Sequence, residues 1–224
     1  MGSNTLENFY SQYKILGYKK GDNIIRTDEI PQGVYYVVSG FVKMGIYLSN
    51  GREVTFNMFK PGSYFSLIWA IAGIDNRYYF QALTKTELRR APKEKVLTFL
   101  KENPEVLYAL TKRILIGLDG FLTNTEYMLF GDAYNRVLSV LFLFAKRFGI
   151  KKNKSTIVSE PRLTHQDIAN MAGITRETAS ITISQLEKDN LISYKNHQII
   201  IESVTDVENR LMFDKSEAPT PELI

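Results

Sequence analysis

Between Gly173 and Ile192 the sequence GITRETASITISQLEKDNLI keeps a helix's apolar spacing in Ala179, Ile183 and Leu186, at i, i+4 and i+7. Arg176, Glu177, Ser180 and Ile181 fall off that face. Together they offer a planar guanidinium fork, an acceptor carboxylate, a hydroxyl and a bare aliphatic branch. Such a set suits a surface that itself displays hydrogen-bond acceptors, donors and methyl groups.

Two helix starts hold these groups in place. Thr164, with Asp167 three residues later, has the form of a capping box and predicts a first helix over 165–172. Gly173 supplies a turn, and Thr175 caps a second helix. An exposed helix whose first two turns carry Arg, Glu and Ser, held across another helix by a glycine turn, has the geometry that enters a DNA major groove. There Arg176 can donate to guanine O6 and N7, Glu177 can accept from cytosine N4, and Ile181 can lie against a thymine methyl, with Ser180 beside them. Thr164, Gln166, Thr175 and Thr178 suit phosphate contacts, which set register without reading sequence. Residues 190–201 read as two short strands around a Lys195-Asn196-His197 tip, the wing of a winged helix, with Lys195 within reach of phosphate. The competing reading is a helical hairpin that merely packs, with Arg176 and Glu177 on a solvated face.

The elements upstream must pair and control such a reader. From Lys20 to Ala91 short β-rich runs alternate with glycine punctuation, at 34–38, 41–48, 53–59, 77–83 and 87–91, which predicts an antiparallel roll or barrel. Asn50-Gly51 is the pattern of a type I′ hairpin turn. Pro92 opens a short helix and Pro104 a longer one of about 27 residues, or roughly 40 Å. Along it Leu107, Leu110, Ile114, Gly117, Phe121, Asn124 and Met128 recur at threes and fours, the seam of a two-helix contact. A second stripe, Leu115, Leu118, Leu122 and Leu129, runs beside it. Two stripes need two partners, and a second subunit is the natural one for a homodimer. Gly131 breaks the helix, and Asp132 caps another that ends at Gly149. The expected division is a sensing domain over 1–103, a dimerisation helix over 104–130, a DNA-binding domain over 131–203 and a tail over 204–224. Within it 151–155 reads as a polar loop and 216–224 as poorly ordered.

Composition excludes several chemistries. The 224 residues include no cysteine, so disulfides, thiolate metal sites and cysteine-ligated clusters are ruled out. Both histidines, His165 and His197, lie in the DNA-binding half, which argues against haem in the sensor. No nucleophile–base pair or GxxxxGK loop appears, so no enzyme activity, metal or cofactor is expected. The N-terminal stretch carries no signal-like segment and the apolar run after Ile114 is interrupted by charge, so a cytoplasmic chain with no membrane span is expected. Net charge is +4, with Lys and Arg exceeding Asp and Glu by 10 to 7 across 131–203. That diffuse surplus would not by itself point to nucleic acid.

With these motifs in hand, the chain resembles the Crp/Fnr superfamily of bacterial transcription regulators from Gly21-Asp22 to about Ile201. The resemblance rests on ThrArgGluThr at 175–178 and LeuGluLysAspAsnLeuIle at 186–192. Gly21, Gly40, Gly62 and Asn103-Pro104 support it. It implies an α+β fold: an N-terminal antiparallel β-roll like the cyclic-nucleotide-binding jelly roll, a long dimerisation helix, and a C-terminal winged helix-turn-helix. The partners it implies are double-stranded DNA with a two-fold operator, a second copy of the chain, and RNA polymerase. Where cyclic-AMP binders carry a ribose-binding glutamate, this chain has Ser66 and Leu67, so the effector is expected to be something other than a cyclic nucleotide. The sensor half looks nearer to cyanobacterial nitrogen-control regulators, which sense 2-oxoglutarate. On that resemblance Phe65, Ser66, Leu67 and Ile68 form a backbone clamp and Arg77 binds carboxylate. The second arginine of those regulators falls on Gly117, and Arg113, one turn earlier, is its nearest substitute.

Overall fold

The computed structural model describes residues 2–152 and 156–211. It divides into two compact units, parted between Leu115 and Ile116.

The first unit opens with α1 (Gly2–Ser11), a helix the sequence reading did not anticipate. Eight strands follow: β1 (Ile15–Tyr18), β2 (Asn23–Ile25), β3 (Val34–Ser39), β4 (Val42–Tyr47), β5 (Glu53–Phe59), β6 (Tyr64–Phe65), β7 (Tyr79–Ala82) and β8 (Thr86–Ala91). They form two antiparallel sheets, ordered β1-β8-β3-β6 and β2-β7-β4-β5. Alternation along each strand sends Tyr35, Val37 and Leu88 from one sheet and Ile25, Val42 and Phe80 from the other into a shared interior. Phe65 fills its centre, stacked 5.0 Å from Tyr35 and 4.8 Å from Phe80. A second core forms outside the roll. There Leu6 and Tyr10 of α1 meet Val96 and Leu100 of α2 (Lys93–Glu102), together with Val106 and Leu110 at the start of α3 (Pro104–Phe130).

Two expectations change here. The β4–β5 connection is a three-residue loop, with the Leu48 N–H bonded to the Arg52 carbonyl at 2.8 Å and only Gly51 at positive φ, 77°. It is therefore a turn followed by a left-handed glycine rather than a type I′ turn. Leu110, assigned to the helix seam, is buried in the unit's own core, because Val106 and Leu110 are the α3 residues that face α1 and α2. The rest of α3 carries its apolar groups outward: Ile114, Leu115, Leu118, Phe121 and Leu122 are each about half exposed. Leu107 is exposed as well, whereas Asn124 and Met128 are half-buried.

The second unit contains the remainder of α3 and then α4 (Ala133–Phe148), whose N-terminus is capped by Asp132 accepting from the Asn135 N–H at 2.9 Å. After it come β9 (Gly149–Lys151), β10 (Ile157–Ser159), α5 (His165–Ala172), α6 (Arg176–Lys188), β11 (Ser193–Lys195), β12 (Gln198–Ile201) and α7 (Val204–Arg210). The strands make one antiparallel sheet in the order β11-β12-β10-β9. Helix α4 packs on both α5 and α6. The core is built from Val137, Leu141, Phe144, Ile168, Ile183, Leu186 and Ile199. Lys151 lies in β9, so the polar loop begins later than expected; 153–155 lie outside the described residues, as do 216–224. The boundary at 203 is also corrected. Val207 and Leu211 are fully buried and Glu208 pairs with Lys146 of α4 at 2.6 Å, so α7 is part of this unit rather than tail.

Candidate nucleic-acid interface

The α5–α6 pair is set by local chemistry at each helix end. Thr164 Oγ1 accepts from the Asp167 N–H at 3.1 Å, and Asp167 Oδ2 accepts from the Thr164 N–H at 2.9 Å, completing the capping box. Gly173 closes α5 in the left-handed region, φ 64° and ψ 33°, and its N–H bonds back to the Ala169 carbonyl. A side chain there would meet the tip of Met128 at 3.0 Å and Arg136 at 3.3 Å. Thr175 then caps α6, with its hydroxyl accepting from the Thr178 N–H at 3.2 Å and lying 3.0 Å from the Thr178 hydroxyl.

This turn presses one side of α6 inward and leaves the other free. Ala179, Thr182, Ile183 and Leu186 are buried, while Arg176 and Glu177 are exposed and Ile181 is 72% exposed. Ser180 is half-buried. Arg176, Glu177, Ser180 and Ile181 line one open concavity with His165, of about 320 Å³. Glu177 is held below the usual carboxylate range by its own backbone N–H, then by the Thr175 hydroxyl and the neighbouring Arg176. It stays an acceptor at neutral pH. Gln166 is exposed on α5, with its amide donating to Asn170 Oδ1 at 2.7 Å.

The wing is fastened to both helices. Glu187 of α6 accepts from the Tyr194 N–H at 2.8 Å, and the Leu163 N–H, just before α5, donates to the His197 carbonyl at 2.8 Å. At its tip Asn196 and His197 both have positive φ, 50° and 62°, between the paired residues Lys195 and Gln198. The type I′ turn expected at Asn50-Gly51 is thus found here. Lys195 is exposed beside it. Two residues here, His165 and Tyr194, have no role at this surface in the sequence analysis, and His197 has one there only as part of the wing tip. The His165 ring lies against Tyr194, tilted by 37° with centroids 4.9 Å apart, and His197 Nδ1 lies 2.9 Å from the Tyr194 hydroxyl. Burial, then Arg176 and His197, lower the pKa of His165. The only sequence signal was that both histidines flank the helix pair.

The residues assigned to an effector are distributed differently. Phe65 is spent on the roll interior. Ser66 sits at φ 71° with a buried hydroxyl that has no hydrogen-bond partner among the described residues. Leu67 packs on the outer core, and Ile68 begins a five-residue π-helical turn with its side chain exposed. Arg113 lies 4.9 Å over the Tyr64 ring and donates to the Gly62 carbonyl at 3.3 Å. Arg77 is exposed and rests on Tyr78 at 5.5 Å, so among the described residues the two arginines have no hydrogen-bond or ring partner in common.

Comparison with known proteins agrees with both halves. Residues 15–103 match the cyclic nucleotide-binding domain family and residues 135–209 the Crp-like helix-turn-helix domain family. A global nitrogen regulator of Synechocystis is 30% identical over 174 residues, 75% of each chain. The chain belongs to the Crp/Fnr family of transcription regulators. A global nitrogen regulator of Nostoc is 29% identical over 190 residues, covering 82% of this chain and 83% of that one. Among solved structures, FixK2 from Bradyrhizobium japonicum superposes with a TM-score of 0.74 at 23% identity, over 88% of this chain and 96% of that one. That likeness establishes the shared architecture: an antiparallel roll, helices, and a winged helix-turn-helix.

As a Crp/Fnr protein, the chain is a regulator and not an enzyme, and its helix-turn-helix implies DNA binding. Among the described residues no helix is long and apolar enough to cross a membrane. The match over 135–209 runs through α7, in agreement with the packing of that helix in the second unit.

Proposed function

We propose that the chain acts as a homodimer that binds a two-fold DNA site and is controlled by a small-molecule effector other than a cyclic nucleotide. The observation that carries this reading is the two-sided character of α6, with Arg176, Glu177 and Ile181 exposed while Ala179, Ile183 and Leu186 are buried. Two copies would offer two such helices at the spacing of one DNA turn, about 34 Å. In this reading Arg176, Glu177, Ser180 and Ile181 read base edges, while Thr164, Gln166, Thr175, Thr178 and Lys195 meet phosphate. The exposed apolar run of α3 from Ile114 onward is the dimer seam, and one protomer leaves it largely uncovered.

On the sensor side, residues 1–103 receive the effector. Ser66 and Leu67 offer no carboxylate for a ribose, while Arg77 and Arg113 leave two exposed guanidinium groups for an anion such as a small carboxylate. Effector binding shifts the break at Phe130-Gly131-Asp132 and so the relative setting of the two reading helices. The regulator works in the cytoplasm and meets RNA polymerase at its promoters. A genomic footprint of the purified protein, with and without candidate carboxylates, tests both parts. Protected two-fold sites whose occupancy responds to a carboxylate are expected, and protection that ignores every candidate would remove the effector from the proposal.

A further inference from the structure

The Tyr194 hydroxyl sits between two acceptors' worth of demand and has one proton to give. It lies 2.6 Å from the Leu163 carbonyl, which can only accept, so the proton goes there. The 2.9 Å contact to His197 must then run the other way, from Nδ1–H to the hydroxyl oxygen. This fixes the tautomer of the neutral ring, with its proton on Nδ1 and only a lone pair on Nε2. His197 stands exposed in the left-handed tip of the wing. A phosphate oxygen is also an acceptor, so it can meet Nε2 only after the ring takes up a second proton.

We infer that His197, with His165 across Tyr194 from it, makes a proton-gated contact to a DNA backbone phosphate, so that binding DNA takes up protons. This rests on the DNA-binding reading above. The groups that face the pair come from every neighbouring element. Arg176 and Glu187 of α6 act on His165, the first opposing its charge and the second favouring it. Asp167 of α5 and Glu187 lie near Tyr194, and Lys195 adjoins it on β11. In the free protein burial, Arg176 and the second histidine keep His165 toward its neutral form, and an incoming phosphate supplies the missing negative charge. Bound protein then holds more protons than free protein, and affinity rises as pH falls through the range where histidines change charge.

The test uses a labelled duplex of about 30 base pairs, long enough for two half-sites one turn apart, enriched from a random pool by the full-length protein. Anisotropy titrations at pH 6 and pH 8 and fixed ionic strength should show binding roughly fivefold tighter at pH 6, as a new charge-assisted bond would give. The salt dependence should also be steeper there by about one phosphate charge per protomer, or about two for the dimer. His197→Asn, whose side chain tolerates the left-handed backbone, should bring the two affinities to within about twofold, near the wild-type value at pH 8. Tyr194→Phe removes the acceptor that holds the proton on Nδ1. It lets the neutral ring donate from Nε2, so it should tighten binding at pH 8, a gain that misfolding cannot imitate. A wild-type protein that binds equally at both pH values, or variants that keep its full pH ratio, would overturn the proton-gated contact and leave DNA binding standing. Failure to enrich any duplex at either pH would instead sink the DNA-binding reading.

Discussion

Glu187, near the C-terminal end of the reading helix, accepts a 2.8 Å hydrogen bond from the backbone N–H of Tyr194 and so ties the wing to α6. Glu187→Ala leaves that half-buried N–H unpaired and should cost about 1–2 kcal/mol of stability, whereas Glu187→Gln keeps an acceptor and should cost less. Urea denaturation of the two variants side by side checks the difference. Equal losses would mean that the bond contributes nothing.

Local chemistry in this unit was readable from neighbouring residues alone. Thr164 with Asp167, Thr175, Asp132 and Gly173 all do what their types and spacing announce, because a cap needs partners only three or four positions away. Positions whose role depends on distant chain were less legible. Leu110 fits a seam by periodicity, yet α1, which no sequence pattern flagged, covers it together with α2. Asn50-Gly51 has the stronger hairpin signature, but the type I′ turn formed at Asn196-His197, where the strands leave room for only two loop residues. The tautomer of His197 depends on Leu163, 34 positions away in sequence, and no spacing rule reports it.

Gly173 needs its conformation more than its size. At φ 64° an L side chain is strained by roughly 1–2 kcal/mol, and the Met128 tip at 3.0 Å must also give way. Gly173→Ala should therefore destabilise the helix pair by at least that much, and Gly173→Asn by less, because asparagine tolerates the left-handed region. Amide hydrogen exchange across α5 and α6 would report it, and unchanged protection in Gly173→Ala would show that the turn relaxes freely.

Arg176 should read sequence rather than add charge. Removing a bidentate contact to guanine costs about 1–3 kcal/mol on the specific site, so Arg176→Ala should lose that much there and far less on random DNA. Lys195→Ala should weaken both alike and flatten the salt dependence by about one phosphate per protomer, or about two for the dimer. Titrations of an enriched and a scrambled duplex separate the two behaviours. A uniform loss for Arg176→Ala would make it a phosphate contact.

Gly117 offers a clean test of the seam, because a Cβ added there meets nothing within 4 Å in the single chain. Within one protomer Gly117→Leu has room, and its better helix propensity should add up to about 1 kcal/mol to α3. Any harm it does must then come from a second copy. If two α3 helices approach through Ile114, Gly117 and Phe121, the leucine pushes them apart at their closest point, and sedimentation velocity should find a shift toward monomer with operator affinity falling in step. A variant that remains dimeric and binds DNA as before would place the subunit contact elsewhere, for which the neighbouring stripe of Leu115, Leu118 and Leu122 is the next exposed surface.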